Sequence, residues 1–390
     1  MSGTGARWSL TIGELNTMFK VLVTGGAGFI GSHTVDLLLK KGYEVRVLDS
    51  LTPPVHPRRE RPTYLPEDVE FILGDVRNRN DMERALQGVR AVFHLAAYQD
   101  YLTDFSKFAL VNDGGTALLY EIIVNRRFPV EKVVLGSSQA VYGEGKHRCP
   151  KHGVQYPPMR SLKQLEAGDW DVNCPACGEQ MKPLPTDESR TNPHNQYAVS
   201  KYAQELYALT LGRRHGIPTV ALRYSITQGP RQSIHNAYSG LLRSSVIRLL
   251  NNLPPVIYED GQQLRDYVYV GDVAQANLLA LEKDTANFEV FNVGGEKPVT
   301  VLEYVRMLLK VWGKDIRPEI SGQFRFGDTR HVFSDVSRIA ASLGWQPVTL
   351  LEEAAQQYVI WAQSQPEIKD YYAEAAATMR DMGVLRTIRR

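Results

Sequence analysis

"FKVLVTGGAGFIGSHTVDLLLKKGYEVRVLDS", from Phe19 to Ser50, decides the fold. Val21 to Val23 are an apolar run rich in β-branched residues, as expected of a strand buried on both faces. "HTVDLLLKKG" then carries apolar residues at helical spacing and stops on Gly42, a residue suited to the position just past a helix. "EVRVLD" alternates into a second strand ending at Asp49. Between the first strand and the helix, Gly25, Gly28 and Gly31 are spaced G-x-x-G-x-x-G. Glycine there lets backbone approach a pyrophosphate, while the helix start supplies amide donors and the positive end of its dipole. An acid about 20 residues further on, Asp49, is placed to accept from a ribose 2′-hydroxyl and to repel a 2′-phosphate. The stretch therefore predicts an α/β chain with a doubly wound parallel sheet and a site for NAD in preference to NADP. "FILGDVRN" around Asp75 and "AVFHLAA" from Ala91 to Ala97 read as the next two strands, their C-terminal ends at the ligand side.

Composition narrows the function. The chain has 390 residues, 43% of them hydrophobic, enough for a sizeable core in one large or two modest domains. A formal net charge of +2 gives no footprint for nucleic acid or an anionic membrane surface. Apolar runs are short and broken by glycine, below the ~20 residues of a membrane span. The first residues carry no secretory pattern, and residues 1–17 read as an extension ahead of the domain. Few cysteines and no such pattern predict a cytoplasmic protein.

Three further stretches carry chemistry. "VVLGSSQAVYG" (Val133 to Gly143) is a strand ending in Ser137-Ser138. "YAVSK" (Tyr197 to Lys201) opens a helix with tyrosine and lysine one turn apart on one face. "LRDYVYVGDVAQANLLAL" (Leu264 to Leu281) sets an Arg-Asp pair ahead of a strand and a helix. Together with the glycine turn, these resemble the extended short-chain dehydrogenase/reductase superfamily, and within it the NAD-dependent nucleotide-sugar epimerases and dehydratases. The resemblance spans Met18 to about Tyr358. It implies a Rossmann-type cofactor domain with a smaller C-terminal α/β domain for the substrate. It also implies NAD contacts from Gly25, Gly28, Phe29, Ile30 and Gly31, from Asp49 and Ser50, and from Asp75 and Val76. Leu95, Ala96, Ala97, Asn112 and Tyr224 complete that set with Tyr197 and Lys201.

A tyrosine near pKa ~10 is a poor base at neutral pH, and a lysine one turn away favours its phenolate. Tyr197 can then take the proton of a sugar hydroxyl while hydride leaves the same carbon for NAD. Ser138 would hydrogen-bond that oxygen, and Lys201 would also hold the nicotinamide ribose, as the resemblance implies. Related dehydratases follow the serine or threonine with an Asp-Glu pair; here Gln139-Ala140 stand instead, which favours 4-epimerization over dehydration. By the same resemblance Arg265 and Arg325 hold the substrate diphosphate, for which guanidinium is suited, and Asp328 holds the nucleoside ribose. In "RYSITQGP" (Arg223 to Pro230), Ile226 replaces an asparagine that usually touches that diphosphate. "HLAAYQDYLTDFSKF", "SQAVYGEGKHRCPKHG" and "EDGQQLRDYVYVGDV" resemble the dTDP-L-rhamnose 4-epimerase group, with a UDP-hexose or UDP-uronate 4-epimerase as the rival. A redox-idle NAD-binding regulator, or a net dehydrogenase that releases NADH, are the readings from other classes. The resemblance further implies a homodimer, pairing the helix after Asn112 and the helix at Tyr197 across a two-fold axis.

All three cysteines lie in "CPKHG" (Cys149 to Gly153) and "CPACG" (Cys174 to Gly178). Both stretches fall between Tyr142 and Tyr197, a connection that relatives span in far fewer residues. Paired ligands two apart on Pro- and Gly-bearing turns suit tetrahedral zinc. Cys149, His152, Cys174 and Cys177 make a four-ligand set with no open position, so the expected zinc is structural, in a zinc-knuckle-like loop over residues 144–192. Free thiols and a Cys174–Cys177 redox pair are the alternatives. The loop is expected to cover the sugar pocket. The cofactor domain is expected over 18–222 with 266–283, the substrate domain over 223–265 and 286–363, and a helical tail over 364–390.

Overall fold

The computed structural model describes residues 19–100, 102–235, 240–365 and 368–389. The extension 1–17 lies outside them. Seven strands form the central sheet: β1 (Lys20–Thr24), β2 (Glu44–Asp49), β3 (Glu70–Leu73), β4 (Ala91–His94), β5 (Lys132–Ser138), β6 (Thr219–Tyr224) and β7 (Val290–Val293). Their order is β3-β2-β1-β4-β5-β6-β7, and every pairing is parallel. Successive side chains of a strand point to opposite faces, and both faces are filled. Val21, Val23, Phe93 and Val134 pack on the side of helices α1 (Phe29–Lys40) and, further along the chain, Val270–Glu282. Leu22, Val92, Val133 and Leu135 pack on the other side, under α2 (Arg79–Leu86), α3 (Gly115–Arg126) and α4 (Gln196–His215). We label Val270–Glu282 α5; it lies against α1. Each such apolar side chain contributes about 1.5–3 kcal/mol by leaving water.

The glycine turn is set by contact as well as by ligand need. A Cβ on Gly31 would fall 2.1 Å from the Gly25 carbonyl oxygen, so α1 starts in direct contact with the turn. Gly25 has φ +71, a left-handed conformation that glycine alone adopts without strain.

A second lobe is built on the helices Leu241–Leu250, Val301–Trp312 and Leu351–Gln363. Leu242, Val246, Leu308 and Tyr358 fill its core, with Tyr267 stacked on Tyr304 at 4.2 Å. Two boundaries differ from expectation. Val290–Val293, expected in the substrate lobe, is the seventh strand of the main sheet because it pairs with Ala221–Tyr224. Within 266–283, α5 joins the cofactor half, while the strand Tyr267–Tyr269 pairs with Ile226–Gln228 in a sheet of its own and gives only Val268 to the main core. The tail is not wholly helical. Its helix Tyr372–Asp381 is followed by a strand, Leu385–Thr387, antiparallel to Gln323–Arg325. Leu385 is drawn in because it packs with Ala376 and Met379 against Tyr258.

The insertion folds as a small antiparallel sheet of Gly153–Gln155, His147–Cys149 and Lys182–Pro183, with a short helix, Leu162–Glu166.

Candidate active site and metal cluster

A cavity of about 680 Å³ opens along the C-terminal ends of β1, β2, β4, β5 and β6. Its walls bring together nearly all residues singled out in the sequence. Gly25, Gly28, Phe29, Ile30, Gly31, Asp49, Ser50, Asp75 and Val76 line one end. Leu95, Ala96, Ala97, Ser138, Tyr197, Lys201 and Tyr224 line the middle, and Arg265, Arg325 and Asp328 the far end. Asn112 is the exception. A π-turn over Ala109–Gly114 carries it inward, where it is fully buried and bonds Tyr98 N (2.7 Å), Tyr98 O (3.0 Å) and Ser200 Oγ (2.8 Å). It ties the segment after β4 to α4 from behind the cavity wall.

The cradle fits a dinucleotide. α1 begins at Gly28 with no side-chain cap and no acid in its first turn, so its amides face the cavity uncompensated. Asp49 accepts from Ala27 N (3.0 Å) and Leu51 N (2.9 Å), which fixes the carboxylate at the end of β2 with lone pairs to spare. Burial pushes its carboxyl up, against those amides and the neighbouring His56. Asp75 is held down by the Arg77 guanidinium at 2.6 Å.

Ser138 caps the short turn Gln139–Tyr142, accepting from Ala140 N at 3.2 Å; its hydroxyl proton remains to donate. Tyr197 and Lys201 share a face of α4, which starts at the Asn195 cap. Lys201 is fully enclosed and donates to Gln204 Oε1 at 2.7 Å. Burial brings its ammonium down to about 8, opposed by Glu205 and Asp113. Behind it runs a buried chain that sequence reasoning missed. Gln204 donates to Thr116 Oγ1 (2.7 Å), Thr116 meets His94 Nε2 (3.1 Å), and His94 Nδ1 meets Thr24 Oγ1 (2.9 Å). The glycine turn and the lysine are thus joined by side-chain hydrogen bonds. The only sequence signal was the place of Gln204 one turn after Lys201. A second anchor, the buried pair Arg223–Glu205 at 2.7 Å, fastens α4 to β6, and Glu205 also accepts from Ser137.

No carboxylate follows Ser138. The Gln139 amide, nitrogen toward Asp266 Oδ1 (3.0 Å) and oxygen toward Ile226 N (3.3 Å), is used for structure. Arg265 spends three of its five N–H bonds on the carbonyls of Leu264 (2.8 Å), Arg330 (2.8 Å) and Thr329 (2.5 Å), leaving two for a ligand. Arg325 pairs with Asp328 at 2.7 Å.

In the insertion, the donor atoms of Cys149, His152, Cys174 and Cys177 lie within 4.8 Å of one another. Cys149 Sγ is 3.5 Å from His152 Nδ1 and 3.7 Å from Cys177 Sγ; Cys174 Sγ is 3.5 Å from the same nitrogen. A tetrahedron with metal–sulfur bonds of about 2.3 Å and metal–nitrogen of about 2.0 Å has edges of about 3.8 and 3.5 Å. No cysteine is in a disulfide. One expectation is overturned: no residue from Glu144 to Pro193 lines the cavity. The insertion packs behind the far wall, because its buried arginine and Trp170 are drawn to the second lobe.

The profile of the NAD dependent epimerase/dehydratase family matches residues 21–162 and 175–294. The chain belongs to that family. The break in the epimerase/dehydratase match falls inside the insertion. The dTDP-L-rhamnose 4-epimerase of Burkholderia thailandensis is 35% identical over 88% of this chain and 94% of its own length. A UDP-glucose 4-epimerase from Thermotoga maritima, solved with UDP-glucose, superposes with TM-score 0.72 at 30% identity, covering 88% of this chain and 99% of that one. The UDP-glucuronic acid 4-epimerase of Bacillus cereus, solved with NAD, gives TM-score 0.71 at 26% identity, with the same coverage. No helix among the described residues of this family member is long and apolar enough to cross a membrane.

Proposed function

We propose that this protein is an NAD-dependent 4-epimerase of a nucleoside-diphosphate sugar, with a dTDP-linked 6-deoxyhexose such as dTDP-L-rhamnose as the favoured substrate. The observation that carries the reading is one cavity lined by Ser138, Tyr197 and Lys201 beside an uncapped glycine-turn helix, with Gln139-Ala140 in place of carboxylates. The 35% identity to a dTDP-L-rhamnose 4-epimerase supports the choice of sugar. A UDP-hexose or UDP-uronate is the second reading, supported by the likeness to UDP-sugar 4-epimerases.

Held by the glycine turn, Asp49 and Lys201, NAD would supply the hydride acceptor and donor at C4 of the sugar, with no net redox. Tyr197 takes the C4 hydroxyl proton and gives it back. Ser138 donates to the same oxygen as it becomes a carbonyl. Lys201, charged at neutral pH, favours the tyrosinate. Arg265, Arg325 and Asp328 hold the nucleotide while the sugar turns.

The cysteine–histidine cluster is read as a structural zinc site, because three of its edges, 3.5, 3.7 and 3.5 Å, match those of a tetrahedral site and its thiols are unlinked. Reduced thiols also fit the cytoplasm. A homodimer is supported by Val199, Leu206 and Tyr207 of α4 and Leu110 ahead of α3, which are 45–57% exposed. Incubating the NAD-loaded enzyme with dTDP-L-rhamnose, UDP-glucose and UDP-glucuronic acid, and reading C4 configuration by NMR, tests the reading. Inversion of none, or loss of the 6-hydroxyl, overturns it.

A further inference from the structure

The insertion lines no part of the cavity, yet it reaches one wall of it. Arg160 lies between the two ligand pairs in sequence and is 4% exposed. All five of its N–H bonds have acceptors. They go to Glu144 Oε1 (3.0 Å), Trp170 O (2.7 Å), Glu259 Oε2 (3.3 Å), Glu259 Oε1 (3.0 Å) and Asp328 O (3.0 Å). The next two carbonyls along that loop, of Thr329 and Arg330, accept from Arg265. Glu144, the first residue of the insertion, accepts from Arg330 N at 2.6 Å, and Asp171 of the insertion accepts from the Arg330 guanidinium at 3.1 Å. The backbone of residues 328–330 is therefore held by three charged side chains, Arg160 and Glu144 of the insertion and Arg265 of the cavity wall.

The same loop begins with Arg325 and Asp328, which face the cavity. Its leading strand is gripped too. Trp170 packs edge-on against Phe324 at 5.8 Å, and Arg389 closes the tail onto the insertion through Glu166 O (2.8 Å). A loop left alone samples many backbone states, and each restrained carbonyl removes some of them before a ligand arrives.

We propose that Arg160 is a positioning residue for the nucleotide end of the cavity, holding the loop of Arg325 and Asp328 from behind and tying its order to the fold of the insertion. The proposal rests on the nucleotide-sugar reading above. Lysine cannot replace Arg160, because three donors on one nitrogen cannot meet five acceptors spread over a planar fork.

The test uses the full-length NAD-loaded enzyme and calorimetric titration with dTDP and with UDP. Arg325→Lys should weaken binding of at least one of them. Arg160→Lys should weaken the same nucleotide about tenfold, with NAD and metal content unchanged. In the double variant the loss should exceed that of Arg325→Lys by no more than about twofold, because the two residues act in series. Asp171→Asn, at the exposed edge of the network, should weaken binding about threefold and serves where Arg160→Lys does not fold. Normal nucleotide affinity in Arg160→Lys, or in Asp171→Asn if only that variant folds, overturns the inference while Arg325→Lys still binds weakly. So does full additivity in the double variant. If Arg325→Lys binds both nucleotides normally, the nucleotide assignment itself is wrong, and the inference falls with it.

Discussion

In the sheet half, Leu22, Val92 and Val133 stack under Leu119, Ile122 and Ile123, one layer of a core that continues through Val21, Phe93 and Val134 on the other face. In the insertion, the apolar cluster is Cys149, Val172, Cys174 and Met181, with Cys177 packed beside it. The first region buries enough carbon to hold its own shape. The second has four buried members, and three of its five cluster residues are thiols; beside them stand the Cys/His group, its donor atoms within 4.8 Å of one another, and the ion pairs of Arg160. Segments too short to build a core use a metal or ion pairs instead. On the proposals above the difference divides labour: chemistry sits on the sheet half, while the insertion, which lines none of the cavity, holds one of its walls through Arg160 and Glu144.

That division can be broken by experiments on each half. Tyr197→Phe should lower the epimerization rate by about 10²–10⁴-fold while both NAD and zinc contents stay at parental levels. Activity near the parent would move the chemistry off α4. The reciprocal change, Cys174→Ser or zinc removal by a chelator, should leave NAD bound but expose residues 150–190 to protease, read by mass mapping of the fragments. Protease resistance equal to the parent would mean that the insertion folds without its metal.

Gly31→Ala sharpens the comparison from the sheet side. Its Cβ would lie 2.1 Å from the Gly25 oxygen, so the variant should lose about 1–3 kcal/mol of stability and most of its bound NAD, with zinc retained. Denaturant melts and cofactor release on unfolding measure both. Retained NAD at parental stability would show that α1 can shift without cost.

Both regions should also share an acid sensitivity. Burial lowers His94 in the sheet to about 3, His147 in the insertion to about 4, and His331 on the wall between to about 3. A histidine whose folded pKa is depressed gives stability above its unfolded pKa of about 6.5 and loses it as pH falls toward the folded value. Each therefore costs up to about 1.4 kcal/mol per pH unit below about 6.5. Tm should drop by several degrees between pH 6.5 and 5.5, and a flat Tm would show these rings accessible to protons.

Much of the sheet was legible because its signals are local. Val21–Val23, the three glycines and Asp49 sit on one short stretch, and Tyr197–Lys201 on one helical turn. Val290–Val293 was not legible as a seventh strand, since its membership depends on pairing with Ala221–Tyr224 far away in the chain. Asn112 was misplaced toward the cavity for a similar reason: a π-turn rotates it inward, and nothing in "LVNDGG" announces such a turn.

By itself the sequence pointed to the α/β class and the glycine turn through periodicity and short spacing, to the Ser138–Tyr197–Lys201 set through its family resemblance, and to the four clustered Cys/His residues through their paired spacing. Tertiary structure alone decided the chain from Thr24 through His94 and Thr116 to Gln204 and Lys201, and the seat of the insertion behind the wall. The physical reason is the same in both. Buried hydrogen bonds and ion pairs are chosen by which distant groups must be satisfied together when water is excluded, and spacing along the chain carries no record of that choice.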